Sequence, residues 1–124
     1  MQPSYQDSFV SLSKASPYSY QLATAEALFH RRHALIRVPT GCGKTLSVVA
    51  PFLFDRANGG NVIGARRLIY VLPMRTLVRS IERDIRELVE RANLDCSVTV
   101  QTGEDPGDPY LDQGDIVVTT FDQF

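Results

Sequence analysis

Two short apolar runs, Ala34-Leu35-Ile36-Arg37-Val38 and Leu68-Ile69-Tyr70-Val71-Leu72, each stop at a proline, Pro39 and Pro73, and each is followed by a stretch with apolar residues at helical spacing. A short apolar run closed by proline reads as a strand buried on both faces, and a strand that leads into a helix rejoins its sheet through a parallel crossover. Two further runs, 96–100 and 115–119, have the same strand character. Strands alternating with helices predict an α/β fold, a parallel sheet with helices on both faces.

The helices follow from periodicity. Leu22, Ala25, Leu28 and Phe29 predict one from Tyr20 to about Arg31. Lys44 to Asn58 predicts a second, stopped by Gly59-Gly60 and kinked near Pro51. Leu77, Val78, Ile81, Ile85, Leu88 and Val89 share one face of a third, with Glu82 and Arg86, and Glu87 and Arg91, paired on the other. The first nineteen residues are polar and without clear period, so residues 1–15 are expected to be a flexible lead-in and 16–124 the folded domain.

With 124 residues, 44% apolar and 22% charged, the chain is of single-domain size and unlike a disordered one. No apolar run is long enough to span a bilayer and no signal-peptide layout opens the chain, so a cytoplasmic protein with no membrane partner is expected. Cys42 and Cys96 have no metal-pair spacing, so neither zinc nor a disulfide is expected. The net charge of -1 conceals a split: residues 1–102 carry 13 basic and 8 acidic side chains, whereas 103–124 carry 6 acidic and none basic. An anionic ligand would meet the first part.

In a parallel α/β sheet, ligands gather at the carboxyl ends of the strands, here 39–43, 73–76, 101–104 and 119–122. The first of these loops, Pro39-Thr40-Gly41-Cys42-Gly43-Lys44-Thr45, stands between a strand and a helix. Its glycines let backbone N–H groups approach phosphate oxygens, Lys44 offers a charge to the β- and γ-phosphates, and the Thr45 hydroxyl can ligate Mg²⁺. ATP with Mg²⁺ is the expected cofactor, held by Thr40, Gly41, Cys42, Gly43, Lys44 and Thr45. Lys44 and Thr45 are the expected catalytic participants, and Thr45 the expected metal ligand. Val38 occupies the place where the general phosphate-loop pattern has its first glycine, so this is a variant ending Gly-x-Gly-Lys-Thr.

That variant, preceded by Pro-Thr, resembles superfamily 2 helicases of the DEAD/DEAH type. Ser16-Pro17-Tyr18-Ser19-Tyr20-Gln21 resembles the family's adenine-reading Q motif, which implies that Gln21 contacts the base; on its own, a glutamine there is an ordinary polar residue of a first helical turn. Residues 70–78, Tyr-Val-Leu-Pro-Met-Arg-Thr-Leu-Val, are similar to motif Ia, and 115–123 to a later single-strand-contacting motif. The resemblance therefore implies nucleic-acid contacts at Pro73, Arg75, Thr76, Thr119 and Thr120, in a RecA-like fold. Gln101-Thr102-Gly103-Glu104 stands where the family has a Gly-rich turn.

The wording of residues 72–77 and 119–123, with the bulky Val38, is most similar to the CRISPR-associated helicase branch. It implies single-stranded DNA and a CRISPR effector complex as partners. His30 and His33 lack the His-Asp doublet of the nuclease often fused to that branch and read as surface residues.

A superfamily 2 motor also needs a strand ending in Asp-Glu, for metal binding and water activation, and a second domain with arginine fingers. Neither is found here, so the sequence reads as the N-terminal part of a longer helicase, ending before the Walker B motif and inactive alone. The alternatives are a non-catalytic nucleotide- or DNA-binding module, or another P-loop enzyme such as a small-molecule kinase.

Overall fold

The computed structural model describes residues 4–39, 43–102 and 114–120. They belong to two compact units, Met1–Ala65 and Arg66–Phe124. Among the described residues no helix is long and apolar enough to cross a membrane.

The first unit holds three helices. Helix α1, Tyr5–Ser13, starts at Ser4, whose hydroxyl accepts the Asp7 N–H at 3.2 Å, and stops at Lys14 in the left-handed region. It buries Phe9 and Leu12, so most of the stretch expected to be a loose lead-in is an ordered helix. The signal was thin: Tyr5, Phe9 and Leu12 recur at helical spacing but are diluted by polar neighbours. Helix α2, Ser19–Phe29, and helix α3, Lys44–Ala57, pack together, and α1 packs on α3. The Tyr5 ring stands edge-on to Phe9, Phe29 and Phe54, at centroid distances of 6.2, 5.3 and 5.4 Å, and thereby joins all three helices. Pro51 lies within α3 and is buried there, offering no N–H to the Ser47 carbonyl four residues back.

The strand expected at 34–38 is not formed. Residues 32–39 have no regular structure, and Leu35 is 81% exposed. Apolarity makes a segment compatible with a strand, but only hydrogen bonds to a neighbour make it one, and 34–38 pairs with no strand among the described residues. It runs instead along α2 and lines an open groove of about 520 Å³ with Ala23, Thr24 and Ala27.

The second unit is a three-stranded parallel sheet, strand β1 (Leu68–Leu72), helix α4 (Val78–Ala92), strand β2 (Val98–Gln101) and strand β3 (Ile116–Thr120), in the spatial order β1-β3-β2. The α/β class with a parallel sheet is as expected. Leu68 stands opposite Ile116 and Leu72 opposite Thr120, while Val98 pairs with Ile116 on the other side. Central β3 is buried along its whole length. Strands β2 and β3 begin one or two residues later than expected because Ser97 and Asp115 bond through side chains: the Asp115 carboxylate accepts the Ser97 N–H at 2.9 Å, and the Ser97 hydroxyl accepts the Asp115 N–H at 3.0 Å.

Helix α4 buries Val78, Ile85, Leu88 and Val89 against β2 and β3. Leu77 belongs instead to an exposed 3-10 turn, Arg75–Leu77. The expected Glu82–Arg86 pair is present at 2.9 Å, Arg79 bonds the same carboxylate at 2.9 Å, and Arg86 also donates to the Val98 carbonyl, fastening α4 to β2. Partial burial pushes the Glu82 carboxyl up, but its two arginine partners outweigh this and hold it below the usual carboxylate range.

Two buried polar groups of the first unit generate predictions. The Asp55 carboxylate accepts backbone N–H groups from Val62, Ile63 and Gly64 at 3.0–3.3 Å, and Arg31 donates to the carbonyls of Asn61 and Val62 from the other side. Asp55→Ala therefore destabilises the protein by about 1.5–3 kcal/mol in denaturant titrations, since hydrogen bonds to a charged group are lost and their donors stranded. The Tyr5 hydroxyl, by contrast, is buried without a hydrogen-bond partner among the described residues, and burial raises its pKa above the ordinary 10.0. The fold favours the neutral phenol, so this contribution is full below pH 10 and is lost as pH rises beyond it. Tyr5→Phe raises stability by about 1 kcal/mol at neutral pH and flattens the alkaline fall, as thermal melts at pH 7 and pH 10.5 would measure.

Candidate nucleotide and nucleic-acid sites

Helix α3 opens at Gly43, whose backbone has φ +79° and ψ 35°, the left-handed region that glycine adopts without strain. The Gly43 carbonyl accepts two bonds, the first helical one from the Ser47 N–H at 3.0 Å and one from Gln21 Nε2 at 3.1 Å. A Cβ at this position would lie 2.6 Å from that same Nε2, so both the dihedral and the packing require glycine. Gln21 is 2% exposed, and its Oε1 accepts the Tyr18 N–H at 2.8 Å, the return half of a capping box at the start of α2. The amide thus joins the start of α2 to the start of α3 and retains one N–H and one oxygen lone pair for another partner.

Beyond Gly43 lie Lys44, exposed, and Thr45, half-buried, in the first turn of α3, where backbone N–H groups have no acceptor within the helix. A glycine with no room for a side chain, a helix N-terminus, a cation and a hydroxyl are the donor set that a magnesium triphosphate requires, so the residues present fit that ligand. Thr40, Gly41 and Cys42 lie outside the described residues.

In the second unit, the register places the carboxyl ends of β1 and β3 side by side, so Pro73, Arg75 and Thr76 neighbour Thr119 and Thr120 at one edge of the sheet. They differ in access. Pro73, Arg75 and Thr76 are exposed, whereas Thr119 and Thr120 are 0% and 2% exposed. The threonines shape the strand end from within, and the accessible surface belongs to the turn after β1. Gln101 and Thr102 are buried likewise, while Gly103 and Glu104 lie outside the described residues.

No described carboxylate stands at either site. Asp55 holds its loop at the far end of α3, Glu82 is bound on α4, and Asp115 lies at the amino end of β3, opposite the edge where the candidate contacts gather. Among the described residues, no three His, Cys, Asp or Glu side chains group closely enough to hold a metal. His30 and His33 are exposed. Sequence reasoning singled out Gly43, Lys44 and Gln21 as candidates but gave no sign of the Gln21–Gly43 bond, which spans 22 positions and leaves no mark in local pattern. It also missed Asp55, since a carboxylate near a helix end signals nothing about the loop that will wrap it.

Residues 18–124 match the family model of the DEAD/DEAH box helicases. The chain belongs to that helicase family. This helicase chain is also similar in structure to a hypothetical ATP-dependent RNA helicase from Sulfolobus tokodaii, with a TM-score of 0.64 and 25% identity over 94% of this chain and 33% of that one. It spans about a third of that protein's length. The likeness confirms the RecA-like helicase fold. No curated protein matches the helicase chain.

The crowding at Gly43 makes a prediction about coupling. Gly43→Ala costs about 1–2 kcal/mol in backbone strain and displaces the Gln21 amide as well. The double variant Gly43→Ala with Gln21→Ala is therefore less destabilised than the two single effects added, because the second change removes the group that the first collides with. Denaturant titration of the four proteins measures the difference.

Proposed function

We propose that this chain is the ATP-binding N-terminal portion, residues 16–124, of an ATP-dependent superfamily 2 helicase that moves along single-stranded nucleic acid. The observation that carries the reading is the start of α3: a left-handed glycine locked to a buried glutamine, with Lys44 and Thr45 in the turn beyond it. Lys44 neutralises the β- and γ-phosphates, the first-turn N–H groups orient them, Thr45 holds Mg²⁺, and Thr40, Gly41 and Cys42 complete the loop. Gln21 places its remaining donor and acceptor toward the adenine. Bound MgATP supplies the phosphoryl-transfer energy. In this reading the catalytic carboxylates lie elsewhere in the full protein, and among the described residues Asp55, Glu82 and Asp115 are each engaged in holding the fold.

Arg75 and Thr76 grip the backbone of the strand at the carboxyl edge of the sheet, with Pro73 setting the turn and Thr119 and Thr120 supporting it from within. A motor that steps along any sequence must hold what every nucleotide shares. DNA, in a CRISPR-associated setting, is the finer reading, supported by the wording of residues 72–77 and 119–123. The solved relative is titled an RNA helicase, which favours RNA as the second reading.

Lys44→Ala lowers ATP affinity at least tenfold in calorimetry of the full-length protein, since charge-assisted contacts of this kind are worth about 1.5–3 kcal/mol each. Unchanged affinity would remove Lys44 from the site. Competition between DNA and RNA strands of one sequence decides the polymer.

A further inference from the structure

Arg75 of the strand-end site is the first of a row of arginines that runs on into α4. Arg75, Arg79 and Arg83 recur at every fourth position, across the 3-10 turn and the first turns of α4. In a helix this spacing puts side chains on one face about 6 Å apart along the axis, on the scale of successive phosphates of an extended strand. All three residues are exposed, and the Arg79 side chain is 66% accessible. The opposite face buries Val78, Ile85, Leu88 and Val89, so the arginine face cannot turn inward.

The charges beside the row are unequal. Glu82 is the acid nearest it, and its carboxylate is engaged by both Arg79 and Arg86. Arg86 is further bound to the Val98 carbonyl and serves the fold. Asp84 lies about 100° or more around the helix from the row, whereas Glu87 and Glu90 share the face of Arg83, one and two turns farther along, so the basic row spans Arg75 to Arg83 and ends there. Arg83 has no ion pair or hydrogen-bonding partner for its side chain among the described residues. A guanidinium that is always charged and makes no contact of its own contributes little to stability where it stands.

We propose that Arg79 and Arg83 continue the backbone-gripping track of Arg75 along α4, so that a single strand leaving the carboxyl edge of the sheet is held by two further phosphate contacts on this helix. The proposal rests on the reading of Arg75 as a nucleic-acid contact and extends it to a surface outside the motifs. The ligand is the sugar-phosphate backbone of a single strand, gripped without regard to base.

The test measures, in the full-length protein, binding of labelled single-stranded oligothymidylates of 4 and 12 nucleotides at several salt concentrations, for the parent, Arg75→Gln, Arg83→Gln and Arg91→Gln. Arg91 lies about a third of a turn away from the row, and its replacement removes the same charge. Arg83→Gln is expected to weaken the 12-mer three- to tenfold, to reduce its salt slope by about 0.7, the value for one phosphate contact on a single strand, and to leave the 4-mer and the melting temperature unchanged. Arg91→Gln is expected to change neither oligomer. If Arg75→Gln weakens binding while Arg83→Gln leaves both affinity and slope for the 12-mer intact, the track on α4 is refuted and the strand-end site stands. Equal losses in Arg83→Gln and Arg91→Gln also refute it, since net charge would then be the cause. If neither Arg75→Gln nor Arg83→Gln alters binding, the strand-end site fails and the extension fails with it.

Discussion

The side-chain amide of Gln21 is bonded at both ends, its oxygen to the start of α2 and its nitrogen to the Gly43 carbonyl at the start of α3. The organisation of the first unit depends on this bridge. It fixes where one helix begins relative to the other, it fills the space that a side chain at position 43 would need, and it keeps the Gly43 carbonyl free of any need for water. The cost of burying an amide is met because both of its polar atoms are satisfied. The aromatic contacts of Tyr5 with Phe29 and Phe54 then set the same two helices at their other ends, so α2 and α3 are held at two separated points by unlike forces.

The second unit solves a different problem. Among the described residues its sheet has three strands, the middle one buried throughout, and side chains at the strand ends help to hold them in order. At the amino edge, Asp115 and Ser97 exchange bonds and the Asp115 carbonyl accepts the Leu68 N–H, which draws all three strands to one level. With that edge closed by side chains, the carboxyl edge is left to present the turn after β1. The division resembles that of other parallel sheets, in which one edge is spent on stability and the other on ligands.

What could be read from the sequence was whatever depends on neighbours a few positions apart. Strand β1 was legible to the residue because an apolar run ended at Pro73, and the buried face of α4 followed from its period. The start of α3 at Lys44 was legible because a Gly-x-Gly turn there gives way to a long apolar run. Position 34–38 was misread because a strand is a relation between two segments, and sequence supplies only one of them. Helix α1 was missed because three apolar residues among polar ones fall below any periodic signal, although Phe9 is among the most buried residues in the chain. The burial of Thr119 and Thr120 was hidden for the same reason as the Gln21 bridge: both depend on partners far away in the chain.

The strand order β1-β3-β2 has a consequence for assembly. The two outer strands come earlier in the chain and have no bonds to each other, so neither can be completed until residues 116–120 arrive between them. A growing chain therefore carries β1, α4 and β2 as three pieces that wait, the helix able to form at once and the strands obliged to stay open. The last strand then closes two ladders in one event, with all of its pairings distant in sequence. Such a step is slow by nature, because chain entropy is surrendered before any contact repays it. These three strands are thus joined late and all together, and the interval before β3 pairs is the period in which the open sides of β1 and β2 are accessible to a chaperone or to another copy of the chain.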